Sequence, residues 1–168
     1  MKRIGVVSTL LLVALLTVGL GLARWTDSVN IDGTVHTGSL SAGIDDVMCS
    51  DSEITGKNYS EITAVVDPDD PKTLWVTVRN GYPSITYTCE FALLNTGTIP
   101  LHVDAVTVSQ LPAYMDVDVT GLPAETQVHP GGSAPGTLTV HFDNEAEELA
   151  TYTFSVEVDV GQWNLPPE

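Results

Sequence analysis

The sequence predicts an all-β domain, a two-sheet antiparallel sandwich of jelly-roll or Ig-like type, behind an N-terminal hydrophobic helix. Three observations carry this prediction. Beyond the leader, apolar residues recur at every second position and hardly ever at helical spacing. Clusters of Pro, Gly, Asn and Asp separate these runs at short intervals. No helical pattern stands between successive strands, as a parallel α/β sheet would require.

The chain opens with Lys2 and Arg3, after which Ile4 to Ala23 carry no charge. Gly21-Leu22-Ala23 places small residues at the −3 and −1 positions of a signal peptidase site. Residues 1–23 therefore read as a cleaved signal peptide or as an uncleaved anchor, since such a run is long enough to span a bilayer. Either way the basic end stays in the cytoplasm and residues 24–168 are exported as one domain. The expected location is extracellular or cell-surface, with the membrane touched only through the leader.

The elements follow in order. Trp25, Val29, Ile31 and Val35 share odd positions; Leu40, Ala42 and Ile44 share even ones, with Thr37-Gly38-Ser39 between them. This reads as two short strands joined at a flexible point. The polar stretch Cys49 to Ser60 reads as an exposed loop. Leu74, Val76 and Val78 form one strand face, with Trp75 opposite. The cleanest strand is Ser84 to Leu94, where Ile85, Tyr87, Cys89, Phe91 and Leu93 align. In Leu101 to Val108 the apolar set moves from odd to even, which predicts a bulge or bend near Ala105. Met115, Val117 and Val119, then Leu138, Val140 and Phe142, then Tyr152 to Val160 complete the strand set. Asn144 to Ala150 is expected to form one helical turn. The connections are Asp67-Pro68-Asp69-Asp70-Pro71, Asn80-Gly81-Tyr82-Pro83, Asn95-Thr96-Gly97 and His129-Pro130-Gly131-Gly132.

Charge narrows the partners. Without Lys2 and Arg3, four basic residues face 22 acidic ones, a formal charge of −18. Nucleic acid is excluded, because phosphate contacts need clustered Lys and Arg. Cys49 and Cys89 lie 40 positions apart in the exported part. In an oxidising compartment a disulfide is expected, against the alternative of two buried thiols.

The catalytic inventory is thin, so no enzyme activity is expected. There is no His-Glu-x-x-His or Gly-x-Ser-x-Gly, and His36, His102, His129 and His141 are scattered. His102 and His141 fall on polar strand faces, which predicts solvated side chains. No cofactor is expected. Asp67, Asp69 and Asp70 form a weak calcium candidate, lacking the glycine and distal glutamate of an EF-hand. Asn58-Tyr59-Ser60 is an N-glycosylation sequon.

Several segments resemble one protein group. Ala23-Arg24-Trp25-Thr26-Asp27-Ser28 and the following stretch to Leu40 resemble the mature start of proteins with SipW-type signal peptides. That group includes the TasA and camelysin biofilm fibre proteins and archaeal bundling-pilus subunits. Asn80-Gly81-Tyr82-Pro83, Asn95-Thr96-Gly97-Thr98-Ile99-Pro100 and the ending Gln162-Trp163-Asn164 are similar to motifs of the same set. The resemblance implies a jelly-roll subunit of a homopolymeric fibre that assembles by donor-strand exchange. Residues 24–37 would be the donor, with Trp25, Val29, Ile31 and Val35 as its inserted face. An alternating strand detached by a Thr-Gly-Ser hinge suits strand addition in trans. The alternative is an edge strand of its own domain. Camelysin has been classed as a peptidase, but no metalloprotease ligand set is present here to carry that activity over. A function of another class, a monomeric surface module binding glycan or protein, also fits the composition.

Overall fold

The computed structural model describes residues 2–21, 27–53, 56, 59–147 and 149–164, with helix side chains described from 3 to 16. The chain divides into two compact units, Met1–His36 and Thr37–Glu168.

The first unit holds helix α1, Lys2–Gly21. Its described side chains are exposed, and Thr9 Oγ1 donates to the Gly5 carbonyl at 2.8 Å. Among the described residues no helix is long and apolar enough to cross a membrane. The uncharged run of the sequence continues beyond them to Ala23, and the expected cleavage site lies outside the described residues. Residues 27–36 form neither helix nor strand.

The second unit is a sandwich of two antiparallel sheets. Its strands are β1 Ala42–Asp51, β2 Glu61–Val66, β3 Thr73–Arg79, β4 Thr86–Asn95, β5 Leu101–Val108, β6 Met115–Thr120, β7 Gln127–Val128, β8 Ser133–Phe142 and β9 Thr151–Gln162. One sheet runs β1-β4-β8-β6 and the other β2-β3-β9-β5-β7. The period-2 rows read from the sequence meet between the sheets. Tyr87, Cys89, Phe91 and Leu93 of β4, with Leu138, Val140 and Phe142 of β8, face Leu74, Val76 and Val78 of β3 and Phe154, Val156 and Val158 of β9. All are buried. Each buried Val, Leu or Phe contributes roughly 1.5–3 kcal/mol before the entropy of ordering is set against it. Phe142 packs edge-on to Tyr87 at 6.0 Å and tilts against Tyr152 at 5.2 Å, so aromatic rings close one end of the core.

Two bulges change which face a strand presents. In β5 the pairing with β9 shifts between Val103 and Ala105, where the sequence predicted a phase break. In β1 the pairing with β4 shifts between Asp45 and Met48, and Asp46 adopts φ 53°. Ala42 and Ile44 point inward before this bulge, and Val47 and Cys49 pack against the core after it. The strand therefore runs through Cys49 to Asp51, and the expected loop is confined to the residues between β1 and β2. Cys49 sits opposite Cys89 in the ladder, their Cα atoms are 4.0 Å apart, and the sulfurs are bonded.

Glu61–Val66, for which the sequence reading named no element, is a strand, β2, which completes a hairpin with β3 across the Asp67–Pro71 turn. Two further expectations are corrected. Asn144 to Ala150 contains turns, and no helix is found among its described residues. His102 is only 5% exposed, not solvated. The β5 bulge brings the Asp104 carboxylate to 2.7 Å from its Nε2, and its partner across the ladder is Gly161. A Cβ on Gly161 would stand 2.7 Å from Asp104 Oδ2 and 3.0 Å from His102 Nε2, so only glycine leaves room for the pair. His141 is half-buried, with Nδ1 3.0 Å from Thr86 Oγ1.

The bridge spans 40 positions, and closing such a loop in the unfolded chain is worth about 3–4 kcal/mol. The Cys49→Ala, Cys89→Ala double variant is expected to lose that much in urea unfolding. An unshifted midpoint would show that the bridge does not restrict the unfolded chain.

Candidate functional site

The region with the densest polar organisation is the end of the sandwich where β4 stops. Asn95, the last residue of β4, is 2% exposed. Its Nδ2 donates to the carbonyls of Ile99 at 2.8 Å and Val128 at 2.9 Å, and its Oδ1 accepts from Gly97 N at 2.9 Å. Its backbone N–H donates to Gly132 O at 3.0 Å, and its carbonyl accepts from Gly131 N at 2.9 Å. One residue thus holds its own turn, the end of β7 and the turn before β8.

That turn receives the chain where it enters the domain. Ser41 O accepts from Thr96 N at 3.0 Å and Gly97 N at 3.1 Å, and Ser39 O accepts from Thr98 N at 2.9 Å. Ser39 N donates to Thr98 Oγ1 at 2.8 Å, and the hydroxyls of Ser41 and Thr96 lie 2.8 Å apart. A Cβ on Gly97 would collide with Ser39 O and approach Ser41 N to 2.8 Å, so the turn needs glycine for the chains to meet. The C-terminal motif arrives at the same place, with Trp163 N donating to Pro100 O at 3.4 Å. Three motifs far apart in sequence therefore form one structural node.

Upstream of the node, residues 27–41 carry no strand. Val29 is 83% exposed, Ile31 90% and Val35 87%. Trp25, the fourth residue of the expected donor face, lies outside the described residues, as does Asn58 of the sequon. Within the domain, the seams between the sheets are only partly covered, at β1 and β2, where Val47, Ile62, Ala64 and Val66 are half-buried, and at β5 and β6. Among the described residues, β6 pairs only with β8, and β7 pairs with β5 only at Leu101 and His102. The inward-facing Val106 and Val108 of β5 and Val117 and Val119 of β6 are only half-buried. Close by, Leu111, Pro112, Met115, Tyr152 and Phe154 line a surface cavity of about 420 Å³.

The calcium candidates have other work. Asp67 accepts from Trp75 Nε1 and from Asp69 N, both at 2.9 Å. Asp70 accepts from Thr73 Oγ1 at 2.9 Å and faces Lys72 Nζ at 3.4 Å. Among the described residues no group of three or more His, Cys, Asp or Glu is placed to hold a metal ion. The indole N–H of Trp75, then the Asp69 amide, hold the Asp67 carboxyl below its ordinary range. The Thr73 hydroxyl does most to lower that of Asp70.

No protein-family model matches this chain, and no curated protein or solved structure matches it either.

Asn95→Ala would leave the carbonyls of Ile99 and Val128 without their donor, at a cost of about 2–4 kcal/mol. Amide hydrogen exchange should accelerate first at Gly97 and Thr98; unchanged protection there would refute the role of Asn95 as the node. The turn carboxylates have lowered folded values, so their contribution is present above the ordinary value of 3.8 and is lost as pH falls through the folded ones. An Asp67→Asn, Asp70→Asn variant is expected to lose less stability than the parent between pH 7 and pH 3. Parallel losses would refute this.

Proposed function

We propose that this chain is an exported, non-catalytic structural subunit, related to the TasA and camelysin group, of a homopolymeric extracellular fibre or pilus. It assembles by donor-strand exchange, and its sandwich is of the jelly-roll kind. The observation that carries the reading is the row Val29, Ile31 and Val35. The three are almost fully exposed, in a segment that forms no strand in its own chain. Their alternation with Ser28, Asn30 and Thr34 is that of one strand face. An apolar row left in water is a stable arrangement only if a partner covers it.

The seam between β5 and β6 is the proposed acceptor on the next subunit. It offers strand edges with unsatisfied pairing capacity and half-buried valines on both sides. The node at Asn95 holds the root of the arm, so the donor leaves each domain from a fixed point. The disulfide supports maturation in an oxidising compartment. Acidic subunits repel, so apolar insertion must prevail over charge, and salt screens that repulsion.

Val29→Asp combined with Ile31→Asp places two charges in the acceptor, at a cost on the order of 3–5 kcal/mol for each unpaired charge. Sedimentation of the exported protein should show a folded monomer where the parent polymerises. Normal polymerisation would rule out exchange through this face, and a failure to fold would make the segment part of its own domain. Pairing Ile31→Cys with Val117→Cys is expected to cross-link neighbouring subunits; assembled fibres without that cross-link would place the acceptor elsewhere.

A further inference from the structure

The outer face of the β2-β3-β9-β5 sheet carries an aromatic platform outside the core. Trp75 on β3 is 45% exposed, and Val65, its ladder partner on β2, is 63% exposed. Trp75 also pairs with Ser155 on β9, and the neighbouring row is Thr63, Thr77 and Thr153. The Thr77 and Thr153 hydroxyls lie 3.3 Å apart, and Thr63 Oγ1 donates to the Thr77 carbonyl at 3.4 Å. An indole and an isopropyl group thus sit within rows of hydroxyls on one face of the sheet.

Charge selects the occupant. The chain carries a net charge of −16, yet these six positions carry none. A polyanion is repelled by the surrounding acids. A metal cation finds no cluster among the described residues. Glu61 faces Arg79 at 3.7 Å, both oxygens of Asp67 accept hydrogen bonds from Trp75 and Asp69, and Glu157, exposed opposite Thr73 on the same face, joins no group of three carboxylates. A peptide cannot pair beside β3 or β9, interior strands bonded on both sides, so strand addition is open only beyond the edge strand β2 and not over the Trp75 row. Since Asp67 takes the indole N–H, what Trp75 offers is the apolar surface of a ring whose orientation is already fixed. A fixed aromatic surface among neutral hydroxyls matches the apolar face and hydroxyl rim of a pyranose.

We propose that this face is a binding site for a neutral polysaccharide, with Trp75 as the stacking residue and Val65 extending the platform. The site shares no residue with the donor arm and does not depend on polymerisation.

The test is affinity electrophoresis of the full-length chain in a polyoxyethylene detergent, through gels containing hydroxyethylcellulose, galactomannan or alginate. Retardation by at least one of the two neutral polymers is expected, with none by alginate. Trp75→Ala should weaken it about tenfold or more, as loss of a central aromatic contact does. Val65→Asp, at an exposed position, should weaken it while leaving the fold intact. Trp163→Ala, which removes another exposed indole, should not. The Val29→Asp, Ile31→Asp chain should still be retarded, so this proposal and the fibre reading fail separately. Retardation by alginate alone, by no polymer, or equally by Val65→Asp and the parent would overturn the proposal. So would a result in which Trp75→Ala and Val65→Asp lower self-association in sedimentation velocity without changing migration, since the face would then pack against a second copy.

Discussion

The side-chain amide of Asn95 has two donors and one acceptor to place where almost no water reaches, and each finds a backbone group. Those groups belong to the turn after β4 and to the end of β7, while its main chain ties the turn before β8. A hydrocarbon core holds two sheets together, but it does not say where their connecting loops should stop. Directional bonds to a buried amide do, because a loop displaced from this position leaves polar groups dry and unpaired. The register of the chain entering at Ser39 to Ser41 follows, since its carbonyls accept from amides that the Asn95 turn has already oriented.

The distribution of charge complements that arrangement. Acidic residues lie on the outer faces and edge strands, as with Asp116 and Asp118 on β6, where they discourage indiscriminate pairing of open edges. Against this background the exposed apolar side chains of the described residues beyond the helix stand out. They include the arm row, Val65 with Trp75, and Met48 beside the β1 bulge. A highly acidic chain that leaves particular apolar groups in water restricts contact to partners able to cover them.

Much of the sandwich was legible because β3, β4, β8 and β9 alternate without interruption, as a strand with one buried face must. The bulge in β5 was also legible, since its apolar set changes parity within one run. Three features were hidden for physical reasons. In β2, the contiguous Ala64-Val65-Val66 masks the alternation because Val65 faces outward to Trp75. In β1, the bulge at Asp46 reverses parity among acidic residues, so the end of the strand, from Cys49 to Asp51, reads as loop. The burial of His102 depends on Gly161 and Asp104, and only the pairing of β5 with β9 brings the first of these alongside. The node itself was present in the sequence as separate motifs. That Asn95, Ser39 and Trp163 meet is a property of the topology, and no local pattern encodes it.

In the proposed fibre, where each subunit would be pulled through its N-terminal arm, the bond between Cys49 and Cys89 takes on a mechanical meaning. Tension enters the domain at Ser39 and first meets the hydrogen bonds to the Asn95 turn, then the first half of β1. Peeling stops at Cys49, where the load crosses a covalent bond into β4, an interior strand of its sheet. Only about ten residues can be peeled away before that point, a contour length of roughly 33–36 Å. Under load such a subunit yields by a short fixed length and then becomes stiff, with its core protected from unravelling.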